Sequence, residues 1–261
     1  MKIFVTPDVD RVTAQYLLRR WPQLRVLGLA TGRTPEGLYG WLVQYFYEGR
    51  LSFADKRTFN LDEYYALPPN HPGSYRATMV RLLMQYVDLP PDRFHVPPGL
   101  TEDVEAACRN YEAQIRAAGG VDLWILGIGQ DGHIAFNEPG SPPDSRTRLI
   151  RLEESTRRAN ADFFGGDPQQ VPTHAITVGI GTILEARELI LLAKGSAKAE
   201  ILEAAVCGPE TAQVPASFLR RHPRCRLILD PEAAGRLLRR LENGAVNGHP
   251  LQKVHDGAEI G

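Results

Sequence analysis

Between residues 127 and 139 the chain reads GIGQDGHIAFNEP, which sets Asp131, His133 and Glu138 on one glycine-rich turn. A turn needs a glycine or two; it needs neither an imidazole nor two carboxylates. Carboxylates beside a histidine stabilise the imidazolium form, which suits a general acid near neutral pH. His, Asp and Glu are also metal ligands, so a metal site is the competing reading. No second histidine lies close in sequence and no H-x-x-x-H spacing occurs, which disfavours it. Asp62 and Glu63 stand where the apolar run RTFNL stops. Adjacent residues on extended chain point to opposite sides, so one of the two faces a cleft. Asp62, ionised but poorly solvated, would serve as a general base.

Two further stretches could hold an anion. In ATGRTPEG (30–37), Thr34 is a natural helix N-cap and Pro35 suits the first helical position. Gly32 allows a tight turn, which leaves N–H groups of residues 31–34 (Thr31, Gly32, Arg33 and Thr34) free at the positive end of a helix dipole. A plain strand-to-helix turn with a good cap explains that stretch equally well. KGSAKAEILEAAV (194–206) reads as a strand end, a glycine, Ser196 as N-cap and then a helix. Lys198 in its first turn opposes the helix dipole unless an anion sits nearby; a solvated surface lysine is the plain alternative.

These residues need a frame that brings them together. Short apolar runs occur at 2–6, 25–30, 57–62, 93–97, 121–129, 175–180, 188–194 and 225–230, separated by segments of helical period. Leu38, Trp41, Leu42 and Tyr45 follow one helix face, and 102–120 reads as another helix closed by glycine. The alternation predicts an α/β fold with a mostly parallel sheet covered on both faces. Such sheets bind ligands outside the carboxyl ends of their strands, where ATGRTP, DEYY and QDGH all fall. Residues 1–242 then form one α/β domain. Residues 139–173, rich in turn formers around one helix at 153–164, read as a lid, and 243–261 as a loose tail.

Composition narrows the class. Thirty basic against thirty-one acidic residues leave a net charge of -1, which suggests neither a nucleic-acid nor a membrane partner. The N-terminus lacks the apolar core of a signal peptide, so a cytoplasmic protein is expected. Cys108, Cys207 and Cys225 are odd in number and lack a C-x-x-C pair, so they read as reduced thiols.

GLATGRTP, FNLDEYY, HPGSY, GIGQDGHIAFNEP, TVGIGT and PASFL, in that order, resemble the landmarks of glucosamine-6-phosphate deaminases. The similarity runs from about the first strand to residue 230. The sister family, 6-phosphogluconolactonase, shares the DGH turn but usually lacks the FNEP that follows. The resemblance implies a Rossmann-like three-layer α/β/α sandwich with a lid. It also implies no cofactor and no metal, with a small amino-sugar phosphate as the partner and a homo-oligomer left open. The implied activity converts glucosamine 6-phosphate and water into fructose 6-phosphate and ammonia, a hydrolase by its release of ammonia. On matching positions, His133 would protonate the ring oxygen, with Asp131 and Glu138 orienting it. Asp62 would carry the C2 proton to C1, and residues 31–34 with Lys198 would hold the phosphate. Two positions depart from the pattern: Arg33 replaces a small residue, and Asp162 stands where a phosphate-binding arginine is common. Arg33 is expected to supply the missing charge, with Asp162 turned away or bracing Arg158. A lactonase, which needs no Asp62 base, and a non-catalytic sugar-phosphate sensor are the alternatives.

Overall fold

The computed structural model describes residues 1–242 and 251–253. Its larger sheet runs in the order β11-β1-β10-β9-β6-β2-β3-β5, and every neighbouring pair is parallel. The strands are β1 (Lys2–Val5), β2 (Val26–Leu29), β3 (Arg57–Asn60), β5 (Phe94–His95), β6 (Leu123–Leu126), β9 (Leu189–Ala193), β10 (Cys225–Leu229) and β11 (Leu251–Lys253). Helices α1 (Val9–Arg20), α2 (Glu36–Tyr47), α4 (Val104–Ala117), α7 (Ala199–Cys207) and α8 (Pro231–Glu242) flank it. Burial on both faces explains why β2, β6 and β9 are buried at every position and show no strand-like alternation.

Strand order sets where a ligand can bind. From β2 the chain steps outward through β3 to β5, returns to β6 on the other side of β2, and continues through β9 to β10. The direction of winding therefore reverses between β2 and β6. The loops leaving those two strands diverge there and open a crevice at their carboxyl ends.

The expected frame needs one correction. The run at 175–180 does not join the parallel sheet. Beyond Asn60 the chain breaks at Leu61, and β4 (Asp62–Tyr64) pairs antiparallel with β8 (His174–Thr177). A third strand, β7 (Arg148–Arg151), lies within the turn-rich segment read as a lid and pairs antiparallel with β8. Its sequence, Arg-Leu-Ile-Arg, buries little and carries no strand pattern of its own; pairing with β8 decides its conformation. The helix read at 153–164 is split into α5 (Glu154–Ala159) and a 3₁₀ turn at Ala161–Phe164. Two short helices, α3 (Tyr75–Leu82) and α6 (Ile180–Leu184), complete the set among the described residues.

Of the expected tail, Leu251–Lys253 forms the edge strand β11 beside β1, so those three residues depart from a loose tail; the rest of 243–261 lies outside the described residues. Cys108, Cys207 and Cys225 are free thiols. No helix among the described residues is long and apolar enough to cross a membrane.

Candidate active site

Two adjoining cavities of about 150 and 290 Å³ occupy the crevice, sharing Ile128, Gly129, His133 and Asn160. The first is lined by Thr31–Pro35, Asp62, Tyr75 and Phe136, the second by Gln130, Asp131, Thr156 and Lys198. A larger cavity of about 980 Å³ lies elsewhere, between α4 and β7, among residues such as Glu105, Arg109, Arg146 and Glu185. Arg109–Glu105 and Arg146–Glu185 are ion-paired, so the wider space gathers no uncommitted chemistry from those groups.

The β6 turn is built around its histidine. A side chain at residue 129 would put its Cβ 2.2 Å from the His133 ring, so only glycine lets the imidazole lie against that backbone. His133 Nδ1 stands 2.7 Å from Asp131 Oδ1 and 3.6 Å from Glu138 Oε2. Glu138 Oε2 is buried without a hydrogen-bond partner. Burial works to raise the Asp131 carboxyl. Hydrogen bonding and charge attraction from His133 outweigh it and bring the group down to about 2. Burial raises the Glu138 carboxyl, with His133 opposing. Donor atoms of the three residues lie within 4.8 Å of one another, close enough for one cation as well as for an imidazole held between two acids.

Asn137, fully buried, ties this turn to the small sheet. Its amide donates to the carbonyls of Ile134 and Val178 at 2.9 Å each, and its oxygen accepts from Arg148 at 2.8 Å. Ala135 beside it holds φ 53°, a strained conformation for a side-chain-bearing residue, and lines the first cavity.

Asp62 faces the same cavity from the junction of the two sheets. Its carboxylate is 5% exposed and accepts a hydrogen bond from the Thr31 hydroxyl at 3.3 Å. Burial, reinforced by the Glu63 charge, pushes it up to about 7, while Thr31 and His133 pull the other way. Glu63 points away, as strand geometry requires. It accepts N–H bonds from Tyr64, Tyr75 and Arg76 at 2.8–2.9 Å and so fastens the start of α3 behind the site.

The residues expected from sequence to hold an anion divide between the cavities. Thr31, Gly32, Arg33 and Thr34 line the first, with Gly32 at φ +99°. α2 begins at Glu36, one residue later than a Thr34 cap requires, and no side chain caps it. Lys198 lines the second cavity. It ends a 3₁₀ turn, Ser196–Lys198, and α7 starts at Ala199 with no side-chain cap, so Ser196 is not the N-cap that the sequence suggests. Burial lowers the Lys198 ammonium, opposed by Asp131, so it is not a freely solvated surface lysine.

Arg33 is ion-paired with Asp162 on the 3₁₀ turn at Ala161–Phe164, and both side chains are about two-thirds exposed, at 67% and 66%. Asp162 therefore braces Arg33 itself. Arg158, the brace partner expected from sequence, pairs with Glu154 instead. Tyr75, Asn137 and Asn160 were not among the expected site residues, although they lie in the HPGSY, FNEP and TRRANADFF stretches.

The sequence profile described as glucosamine-6-phosphate isomerases/6-phosphogluconolactonase matches residues 13–227. The chain is 49% identical over 245 residues to a glucosamine-6-phosphate deaminase of Mycolicibacterium smegmatis, covering 91% of this chain and 93% of the relative. A solved monomeric glucosamine-6-phosphate deaminase superposes with a TM-score of 0.84 at 40% identity, over 90% of this chain and all of that one (100%). A 6-phosphogluconolactonase from Thermotoga maritima superposes with a TM-score of 0.70 at 21% identity, over 88% and 99% of the two chains, which is a likeness of fold alone.

Proposed function

The chain belongs to the glucosamine-6-phosphate isomerase/6-phosphogluconolactonase family, and from that premise we infer that the crevice between β2 and β6 is its deaminase active site. The activity is that of a glucosamine-6-phosphate deaminase: glucosamine 6-phosphate and water give fructose 6-phosphate and ammonia. The family name places this with isomerisation, which corrects the hydrolase class expected from ammonia release; hydrolytic lactonases share the fold at much lower identity.

The observation that carries the assignment of roles is Asp62, a buried carboxyl brought up to about 7 and facing the cavity that His133 also lines. A carboxylate with a proton affinity near neutrality can both remove and return a carbon-bound proton. In the reaction, His133 gives a proton to the ring oxygen and the C1 hydroxyl loses one, which opens the sugar. Asp62 takes the C2 proton as the C1 carbonyl oxygen regains the one it lost, and an enolamine forms. Returning that proton to C1 leaves a protonated imine at C2. Water adds there, and ammonia leaves as the ketone forms. Asp131 and Glu138 hold His133 between them and balance its charge. Thr31, Gly32, Arg33, Thr34 and Lys198 take the phosphate. No cofactor or metal enters these steps, and the setting is cytoplasmic.

A lactonase has no carbon-bound proton to move, so it gives no reason to bury Asp62. A sensor gives no reason to assemble the acid–base set. Incubation with glucosamine 6-phosphate, with assays for ammonia and fructose 6-phosphate, tests the reading. Absence of both products from folded protein refutes it.

A further inference from the structure

Lys194 follows directly on β9 and lines neither cavity, yet its ammonium is fully committed. Nζ donates to both carboxylate oxygens of Asp10, at 2.6 Å each, and to the main-chain carbonyl of Thr34 at 2.9 Å. Asp10 stands in the first turn of α1, and Thr34 lies in the loop between β2 and α2, one residue before the Pro35 cap. Three elements far apart in sequence therefore meet behind the loop that faces the substrate.

Gly37 shows that the meeting is built into the fold. A Cβ on this residue of α2 would lie 2.2 Å from Asp10 Oδ2. Glycine inside a helix is disfavoured relative to alanine. Here it clears the space in which the Asp10 carboxylate reaches Lys194.

We propose that Lys194, braced by Asp10, is a positioning residue of the phosphate loop and sets affinity for the phosphoryl group of the substrate. The proposal rests on the reading that residues 31–34 face that phosphate. An anion on this loop is favoured by its N–H groups and disfavoured by any carbonyl turned towards it. Lys194 draws the Thr34 carbonyl to the rear. It also places a cation behind the loop, part of whose charge Asp10 offsets. Preorganising the loop lowers the conformational loss on binding and leaves the proton-transfer groups untouched. A purely structural tie between α1 and the loop would change melting temperature without selecting for phosphate.

The test compares wild type with Lys194→Met and Lys194→Arg, using KM and kcat for glucosamine 6-phosphate and binding of inorganic phosphate by calorimetry. Lys194→Met is expected to weaken both KM and phosphate binding by roughly threefold to tenfold, with kcat changed less than about twofold. Lys194→Arg, which keeps charge and donors, is expected to recover most of the loss. Unchanged KM and phosphate affinity in folded Lys194→Met overturn the proposal, whatever happens to its melting temperature. If that variant does not fold, Lys194→Gln carries the same expectation and the same refutation. Wild-type protein that binds phosphate but yields no fructose 6-phosphate would sink the functional reading instead, and leave the loop measurement standing.

Discussion

Asp62→Asn should make the protein more stable as it destroys turnover. The wild-type carboxyl is 5% exposed and is held near 7 against an ordinary 3.8. Between those values the folded state binds the proton more tightly than the unfolded chain does. Wild-type stability therefore falls as pH rises through the interval and levels off above about 7. At about 1.36 kcal/mol per pH unit, the ionised folded carboxylate costs about 4 kcal/mol. Asparagine removes that cost but buries an amide N–H without an assured acceptor, an offset of about 1–3 kcal/mol. The net gain above pH 7 is then roughly 1–3 kcal/mol, or about 2–10 °C in melting temperature for a domain of this size. Towards pH 4, where the wild-type cost disappears, the gain should vanish or reverse. Thermal melts of both proteins at pH 8, 6 and 4 check this, beside an activity loss of about 10²–10⁴-fold. An asparagine variant no more stable than wild type at pH 8, or a difference that ignores pH, would refute the reasoning.

Other outcomes follow from the same geometry. His133→Gln should slow the cyclic substrate more than an open-chain analogue, because the ring-opening proton is what it loses; equal losses would place the histidine in later steps as well. Arg33→Ser should raise KM for the phosphorylated sugar, by roughly tenfold if one charge-assisted contact is removed, whereas Asp162→Ala should lower KM by releasing Arg33 from its ion pair. An unchanged KM in both leaves Lys198 as the cationic anchor. Prolonged dialysis against a chelator should leave activity intact, since the proposed roles of Asp131, His133 and Glu138 are those of an acid triad; loss of activity restored by a divalent cation would turn the triad into a metal site.

The parts of the fold that were legible in sequence are those fixed by burial. The runs around Leu27, Leu123, Ile190 and Leu227 are apolar because both faces of the sheet are covered, and their strands fall where those runs lie. β7 was not legible, because Arg148–Arg151 takes its strand form from β8 and not from its own residues. The split between β3 and β4 was hidden for a related reason: the apolar run stops at Asp62, and a second strand beyond Leu61 depends on a partner more than a hundred residues away. At the site, Asp131, His133 and Glu138 were legible as chemistry on one turn. Their dependence on Asn137 and on Gly129 was not, because each acts through a neighbour in space. Asp10, Lys194 and Gly37 lie on three separate elements, and no local pattern joins them.

The two aspartates of the crevice show why residue type alone could not assign their roles. Asp131 and Asp62 are the same group, one beyond β6 and the other beyond β3, yet one is brought down to about 2 and the other up to about 7. For both, burial is the largest influence and acts in the same direction. The difference lies in what opposes it. Asp131 has the His133 ring at 2.7 Å and the His133 backbone N–H at 3.1 Å. Asp62 has one long hydroxyl contact and a second carboxylate next to it in the chain. In the proposed mechanism the carboxylate that stays ionised braces its histidine, and the one poised near neutrality is the one assigned to exchange a proton with carbon. Environments that separate two like groups in this way divide acid–base labour within a single site.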